Sequence, residues 1–255
     1  MAEFRRLIIK WVESPSNPFT RFRTLNTVVR FFTTIKPVRR LLHGLQTGTY
    51  IEYAFAGMSE YEADANPFKQ FDEWFQQAVA AKIDLPNAMT LATATKEGVP
   101  SARTVLLKDF DEEGFVFYTN YDSPKGKELA ENPDAALVFY WRELGRQVRL
   151  TGRVNQVSEE ESDCYFRSRP VGSRLATLAS SQSEIIPGRS VLEDRFKQLA
   201  EKYRGKDVPR PPNWGGYRLL LNSIEFWQGR PNRLHDRLRY IRQANGDWLI
   251  ERLAP

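Results

Sequence analysis

The feature that most constrains the fold of this chain is a change in the period of its apolar residues after about position 81. Ahead of this position, Asn66-Pro67 combines a helix cap with a proline, and apolar residues from Phe68 to Val79 recur at helical spacing. Beyond it, apolar residues alternate with a period of two, which predicts strands. A helix followed by closely spaced strands favours an antiparallel barrel or sandwich.

The predicted strands are separated by short stretches rich in Gly, Asp, Asn and Pro. Strands are expected at 88–95, 101–108, 114–120, 135–141, 147–157, 217–227, 233–242 and 248–253, and further helices at 123–131, 158–167 and 191–203. No internal repeat or low-complexity linker follows residue 66. We therefore predict that residues 58–255 form one α+β domain.

The net positive charge of the chain is confined to its N-terminal part. Residues 1–57 contain nine Lys and Arg against three Glu, whereas residues 58–255 contain 28 basic and 29 acidic residues. Proteins that bind nucleic acid usually carry a basic patch on the folded domain itself. The composition therefore argues against a nucleic-acid partner.

Residues 1–57 are rich in Arg, Ser and Thr, contain no Asp and lack a sustained apolar period. This composition is typical of a transit peptide, but an upstream extension from a wrongly chosen start codon has the same composition. The second interpretation is favoured because Met58-Ser59-Glu60 reads as an ordinary N-terminus. We expect a basic, poorly ordered leader or extension at 1–57 and a cytoplasmic protein.

Several classes of protein are excluded by what the sequence lacks. No apolar run approaches the roughly 18 residues of a membrane span. The single cysteine, Cys164, excludes an intrachain disulfide, and with only His43 and His235 no metal site is expected. Dinucleotide-binding, Walker and nucleophile-elbow motifs are absent. A function must therefore rest on scattered polar residues.

The segment from Trp227 to Arg237 carries the densest group of such residues. If 233–237 is extended, Arg233, His235 and Arg237 share one face. Two cations and an imidazole beside a tryptophan would suit an anion or an electron-rich ring. The alternative is a solvated edge strand whose basic charge prevents edge pairing.

Other polar groups interrupt the predicted strands and helices. Arg103 and Lys108 lie five positions apart in an apolar strand, so a regular strand places them on opposite sides. The remaining groups are Gln147 with Arg149, Tyr165 to Pro170 with Ser173, and the hydroxyl and amide cluster Ser180 to Ser183. Each alone is explained by a surface or a helix cap. Together they supply donors enough for two phosphates and a flat aromatic ligand.

These segments, in this order and spacing, resemble the pyridoxamine (pyridoxine) 5'-phosphate oxidase family. The similarity spans about residues 66–255 and is carried by Ser101 to Lys108, Tyr118 to Asn120, Ser123 with Lys125 to Lys127, Arg146 to Arg149, Tyr165 to Arg169, Gln182-Ser183, Trp227 to Arg237 and Glu251 to Pro255. The resemblance implies an FMN-binding split barrel with flanking helices. It also implies a homodimer with two active sites at the subunit interface.

The resemblance further implies a role for individual residues. Expected FMN-binding residues are Arg103, Thr104, Val105, Leu106, Tyr118, Thr119, Lys125, Gln147, Gln182, Ser183, Trp227 and Arg237. The substrate phosphate is expected at Lys108, Tyr165, Arg169 and Ser173, and the substrate ring at the catalytic pair Arg233 and His235. Two departures are the proline at 124, where the family usually has arginine, and the absence from 58–66 of its Arg-x-x-Tyr segment.

The function that the resemblance implies is oxidation of pyridoxamine or pyridoxine 5'-phosphate to pyridoxal 5'-phosphate. FMN would be the cofactor and dioxygen the acceptor, giving hydrogen peroxide. Alternatives are a related split-barrel flavin reductase with another substrate, and a non-catalytic carrier of FMN or pyridoxal phosphate, which would consume no oxygen. A basic interaction protein acting through residues 1–57 would keep its activity when the leader is expressed alone.

Overall fold

The structure is a computed structural model that describes residues 57–255. Apart from Gly57, the predicted leader lies outside the described residues, and the boundary after residue 57 stays a prediction. No helix within the described range is both long and apolar enough to cross a membrane.

Helices and strands of this range follow one another as the change of period predicts. The helices are α1 (Pro67–Ala80), α2 (Pro124–Glu131), α3 (Glu159–Ser168), α4 (Val171–Ala179) and α5 (Arg189–Lys202). The strands are β1 (Ala88–Ala94), β2 (Pro100–Leu106), β3 (Asp109–Asp111), β4 (Gly114–Asn120), β5 (Asp134–Trp141), β6 (Arg146–Gln156), β7 (Trp214–Gln228), β8 (Asp236–Arg242) and β9 (Trp248–Arg252).

The helix α1 begins where its cap predicts and packs against the sheet. The side chain of Asn66 accepts a hydrogen bond from the Phe68 amide, 2.9 Å away, and proline occupies the first helical position. Phe71 is fully buried, with its ring 4.8 Å from that of Phe115 on β4. Burying one such side chain contributes about 1.5–3 kcal/mol, so the aromatic stripe fixes α1 on the barrel.

The long strand β7 organises the sheet, whose nine strands in the described range pair antiparallel. One edge of β7 pairs with β6 along most of its length. The other edge is shared, because Trp214–Leu219 pairs with β4 and Ser223–Gln228 pairs with β8. The sheet therefore branches at this edge of β7: one branch continues through β4 to β3, and the other through β8 to β9. The predicted α+β class, an antiparallel split barrel with flanking helices, is confirmed.

Several elements differ from the sequence expectation. The three-residue strand β3 was not predicted, because it is too short to show alternation. No helix was expected at α4, since Pro170 makes no side-chain cap and Gly172 follows within the first turn. Strand β7 begins three residues earlier than predicted, because Gly215 and Gly216 hide the alternation.

The predicted strand at 233–242 is wrong over its first three residues. Pro231–Arg233 forms a short 3-10 turn in which Asn232 and Arg233 have φ of 59° and 62°, and β8 begins only at Asp236. Asparagine tolerates this left-handed conformation and proline rigidifies the turn. Arg233 and His235 therefore lie outside β8, where side chains do not alternate between two faces. The prediction that they share one face of a strand with Arg237 is wrong.

Candidate active site

One pocket of about 890 Å³ collects most of the predicted site residues. Its walls are β2, β4, the first turn of α2, the end of α3, α4 and the loop after α4. The predicted residues that line it are Arg103, Thr104, Val105, Leu106, Lys108, Tyr118, Thr119, Lys125, Tyr165, Arg169, Ser173, Gln182 and Ser183. Residues separated by up to 80 positions along the chain thus meet in one cavity.

Arg103 and Lys108 do not lie on opposite sides, and that prediction is wrong. Both line the same pocket. Strand β2 ends at Leu106, and the Lys108 amide instead donates to the carbonyl of Val116, 2.9 Å away. Regular alternation stops where the strand ends, so the spacing of five carries no information on facing.

The cations Arg103 and Lys125 form the first charged group of the pocket. Arg103 donates to the hydroxyls of Thr93 and Ser101, each at 2.5 Å, and to Glu128 Oε2 at 3.2 Å. Burial, and then the charge of Arg103, lower the pKa of Lys125, while Glu128 opposes them. An anion bound here would relieve the repulsion between the two cations.

Glu128 on α2 is the acidic anchor of this group. Its Oε2 also accepts from the hydroxyls of Thr93 and Ser101, the latter at 2.7 Å. Burial pushes the pKa of Glu128 up, but the hydrogen bonds from Thr93 and Ser101 and the charge of Arg103 outweigh burial and leave it below its ordinary value. The carboxylate thus stays charged and fixes the guanidinium.

Gln182 joins the loop after α4 to the two elements opposite it. Its Oε1 accepts from Lys125 Nζ at 3.0 Å and from Thr119 Oγ1 at 3.1 Å. The neighbouring Ser183 has a φ of 69°, a conformation that costs a non-glycine residue energy. Such strain is concentrated at functional sites.

A stack of aromatic rings forms another wall of the pocket. The rings of Tyr118 and Tyr165 lie 3.9 Å apart, and that of Trp214 lies 5.5 Å from Tyr118 and nearly parallel to it. Gly216 allows this approach, because a Cβ there would lie 2.8 Å from Tyr118 Cε1 and 2.7 Å from Val157 Cγ2. Burial raises the pKa of the Tyr118 hydroxyl above its ordinary value.

Two further cations stand on this wall. The guanidinium carbon of Arg169 lies 4.7 Å from the ring centre of Trp214, and Lys108 Nζ lies 6.0 Å from that of Tyr165. Arg169 caps the end of α3 and also donates to Thr177 Oγ1 at 2.9 Å. Burial lowers the pKa of Arg169 from its ordinary value. A partly desolvated cation of this kind binds an anion strongly.

The remaining predicted residues form a second group outside this pocket. They are Gln147, Trp227, Arg233, His235 and Arg237. Gln147 on β6 faces Trp227 on β7, which faces Arg237 on β8, so three of them form a row across neighbouring strands. The ring of His235 lies 4.6 Å from that of Trp227.

The turn that carries Arg233 and His235 is held from both sides. His235 Nδ1 accepts from the Arg230 amide at 3.1 Å, so a neutral ring carries its proton on Nε2. Asp236 accepts from the Met58 amide at 3.0 Å and from Arg252 at 2.9 Å. These bonds tie residue 58 and β9 to the turn.

Glu225 occupies the centre of the second group. It is buried and accepts from Arg149 at 2.6 Å and from Arg237 Nε at 2.8 Å. Arg237 also donates to the Ala254 carbonyl at 2.8 Å, near the C-terminus. The carboxylate therefore orients two guanidinium groups beside the Gln147–Trp227 pair.

The pocket also contains residues that the sequence did not single out. They are Ala176, Thr177 and Trp214. Thr177 lies on the unpredicted helix α4, so its spacing from Ser173 could not be interpreted as helical. The signal for Trp214 was the adjacent Gly215-Gly216 pair, since consecutive glycines in a strand indicate a close approach.

The donors of the pocket fit a ligand with two phosphate groups and flat rings, or two ligands that share these features. Guanidinium, ammonium, amide and hydroxyl donors are the partners that phosphate oxygens require. The aromatic wall and the volume are those of a small-molecule site. An antiparallel split barrel with an anion-binding pocket is thus the class that the fold and site define.

Comparison with known proteins gives the family. Residues 75–203 match the family described as pyridoxamine 5'-phosphate oxidase, and residues 214–255 match the pyridoxine 5'-phosphate oxidase C-terminal dimerisation region. The pyridoxine/pyridoxamine 5'-phosphate oxidase of a Nostoc species is 60% identical over 204 residues, 80% of this chain and 95% of the relative. That of Paraburkholderia phytofirmans is 58% identical, with the same coverage. This chain belongs to the pyridoxine/pyridoxamine 5'-phosphate oxidase family of oxidoreductases, as the resemblance predicted.

Solved structures support the same fold. PhzG from Burkholderia lata, solved with tetrahydrophenazine-1-carboxylic acid, superposes with a TM-score of 0.74 at 36% identity, covering 78% of this chain and 97% of that protein. A pyridoxamine 5'-phosphate oxidase-related, FMN-binding protein from Nostoc punctiforme has a TM-score of 0.60 at 17% identity, covering 75% and 100%. The second likeness shows the fold alone.

Proposed function

We propose that this protein oxidises pyridoxamine or pyridoxine 5'-phosphate to pyridoxal 5'-phosphate. One observation carries the proposal: a single pocket holds two separate cationic groups, Arg103 with Lys125 and Lys108 with Arg169, around an aromatic wall. The oxidase names of relatives at about 60% identity support the same reaction.

Each cationic group would bind one phosphate. Arg103 and Lys125, with Gln182 and Ser183, would hold the phosphate of FMN. When bound, FMN would supply the redox chemistry, as acceptor of a hydride from C4' of the substrate, with dioxygen as the final acceptor of two electrons and two protons to give hydrogen peroxide.

The second cationic group of the pocket, Lys108 with Arg169, would bind the substrate. Lys108, Tyr165, Arg169 and Ser173 would hold its phosphate, remote from C4', so that binding energy fixes the reacting carbon against the flavin. The stacked rings beside them would exclude water from this end of the pocket once the substrate is bound. Exclusion of water strengthens each charged contact.

The predicted site residues that lie outside this pocket would complete the site from another copy of the chain. Gln147, Trp227 and Arg237 would contact the flavin, and Arg233 and His235 the substrate ring. The match of residues 214–255 to a dimerisation region supports a homodimer. Arg233 would hold the ring by charge, and the Nε2 proton of His235 would donate to a ring substituent.

The test is an aerobic assay of the FMN-loaded protein. With pyridoxamine 5'-phosphate or pyridoxine 5'-phosphate we expect equal amounts of pyridoxal 5'-phosphate and hydrogen peroxide, with peroxide followed by a coupled peroxidase. Unphosphorylated pyridoxine is the matched control and should react far more slowly. Bound FMN with neither product would disprove the oxidase. Turnover of tetrahydrophenazine-1-carboxylic acid instead would assign a different substrate.

A further inference from the structure

Arg169 is supported by groups that carry no negative charge. Its guanidinium carbon lies 4.7 Å from the ring centre of Trp214, which begins β7 and is 7% exposed. Its Nη1 donates to Thr177 Oγ1 at 2.9 Å and its Nη2 to the Ser173 carbonyl at 3.3 Å. Within residues 57–255 no carboxylate lies within salt-bridge distance of Arg169.

This support differs from that of Arg103, the other arginine that lines the pocket. Arg103 is paired with the carboxylate of Glu128 at 3.2 Å. A carboxylate neutralises its partner, whereas an aromatic face attracts a cation through its quadrupole and leaves the charge uncompensated. Arg169 therefore keeps its full charge for an incoming anion, and Arg103 shares its charge with Glu128.

The position of the Trp214 ring is itself fixed by packing. Phe166 meets it edge-on at 5.2 Å, and Tyr118 lies against it at 5.5 Å with an interplanar angle of 16°. Tyr165 lies 6.2 Å from it at an angle of 8°. A ring held by three neighbours is a rigid platform, so it can set the position of the guanidinium.

We propose that Trp214 is a positioning residue for the substrate phosphate. Its ring, with the Thr177 hydroxyl, holds the Arg169 guanidinium in place without neutralising it, and the site thereby selects pyridine substrates that carry a phosphate ester over those that lack it. The inference rests on the proposed function, because it takes Arg169 as the cation that binds the substrate phosphate.

The test compares two ligands that differ only in the phosphate. Dissociation constants for pyridoxal 5'-phosphate and pyridoxal are measured by calorimetry on the FMN-loaded protein. Trp214→Leu keeps apolar bulk and removes the aromatic face, so we expect pyridoxal 5'-phosphate to bind about tenfold more weakly and pyridoxal to bind unchanged. Trp214→Phe, which restores a weaker aromatic face, should be intermediate.

Trp248→Leu is the matched control. Trp248 also lies under an arginine, with the guanidinium carbon of Arg242 5.9 Å from its ring centre, but it does not line this pocket. Its loss should leave the ratio of the two dissociation constants unchanged. An equal weakening of both ligands in Trp214→Leu, or unchanged binding of the phosphorylated one, would overturn the proposal.

Thr177→Val decides the matter if Trp214→Leu does not fold. The change removes one hydrogen bond to Arg169, and we expect about threefold weaker binding of pyridoxal 5'-phosphate alone, with recovery in Thr177→Ser. An unchanged ratio in Thr177→Val would then refute the proposal. Because binding rather than turnover is measured, a protein that keeps this selectivity but forms no product would disprove only the oxidase.

Discussion

At the scale of single residues, Arg233 and Arg237 carry the same charge but are predicted to serve different ligands. Arg233 is exposed and sits in the left-handed turn, whereas Arg237 is paired with Glu225 on β7. Arg233→Ala should lower turnover by about a hundredfold, the cost of misplacing a reacting group, while FMN content falls less than twofold. Turnover by peroxide release and FMN by absorbance check both values.

Arg237→Ala is the control for this prediction. It removes an equal charge four positions away and leaves Glu225 without one of its two guanidinium partners. Here the loss of FMN should come first, with turnover restored by excess FMN. If Arg233→Ala loses FMN and turnover in equal proportion, its assignment to the substrate is wrong.

Site residues that stand out within their own segment could be found from the sequence, whereas residues that matter only through contacts with other elements were missed. Arg103 and Lys108 stood out because charges in an apolar strand are unusual. Trp214 and Thr177 did not, because their contacts with Arg169 depend on how the end of α3 meets the start of β7 and the unpredicted helix α4. No local pattern encodes that contact, and a buried tryptophan is ordinarily core.

At the scale of elements, helix α2 is joined to the β1–β2 hairpin through Glu128. The pKa of this carboxyl is below its ordinary value in the folded chain, so its contribution to stability is present above that value and is lost as the pH falls through the folded pKa. Glu128→Gln should lower the free energy of unfolding by about 1–3 kcal/mol at pH 7. The difference from the wild type should shrink as the pH falls below about 4.

Urea unfolding of both proteins at pH 7 and at lower pH measures this difference. Lys127 is a suitable control position, because it lies beside Glu128 on α2 and is exposed. Lys127→Gln should change the free energy of unfolding by less than about 0.5 kcal/mol at any pH. A difference between Glu128→Gln and wild type that stays constant with pH would contradict the role of the charged carboxylate.

Elements with a cap or an alternation of apolar residues were predictable, and those defined by contacts were not. The first residues of α1 and α2 were predicted from the capping pairs Asn66-Pro67 and Ser123-Pro124. Helix α4 has no capping side chain and contains Gly172, and its helix is stabilised by packing against α5 instead. The turn at Pro231–Arg233 replaced a predicted strand, because basic residues at alternate positions resemble a strand without forming one.

At the scale of the whole molecule, the predicted site residues fall into two groups that one chain does not bring into one pocket. Lys108 and Arg169 line the cavity. Trp227 lies on β7, Arg237 on β8, and Arg233 in the turn that joins these two strands. The sequence named both groups through the family resemblance. Their separation is visible only in the folded structure, because the order of motifs along a chain does not give the distances between them in space.

A mixed dimer tests whether two copies share each site. Arg169→Ala and Arg233→Ala, each impaired alone, are unfolded and refolded together in equal amounts. If each site combines the cavity of one subunit with the turn of the other, a mixed dimer has one intact site and one doubly altered site. Random pairing makes half of the dimers mixed, so about a quarter of the wild-type activity should return.

The matched control for the mixed dimer pairs Arg169→Ala with Lys108→Ala. Both residues line the same cavity, so every site in a mixed dimer keeps one defect and activity should not return. Peroxide release after refolding measures both mixtures, with size-exclusion chromatography to show that dimers have formed. No recovery with Arg233→Ala would place both groups in one subunit, and recovery in the control would mean that the two cavity residues serve different sites.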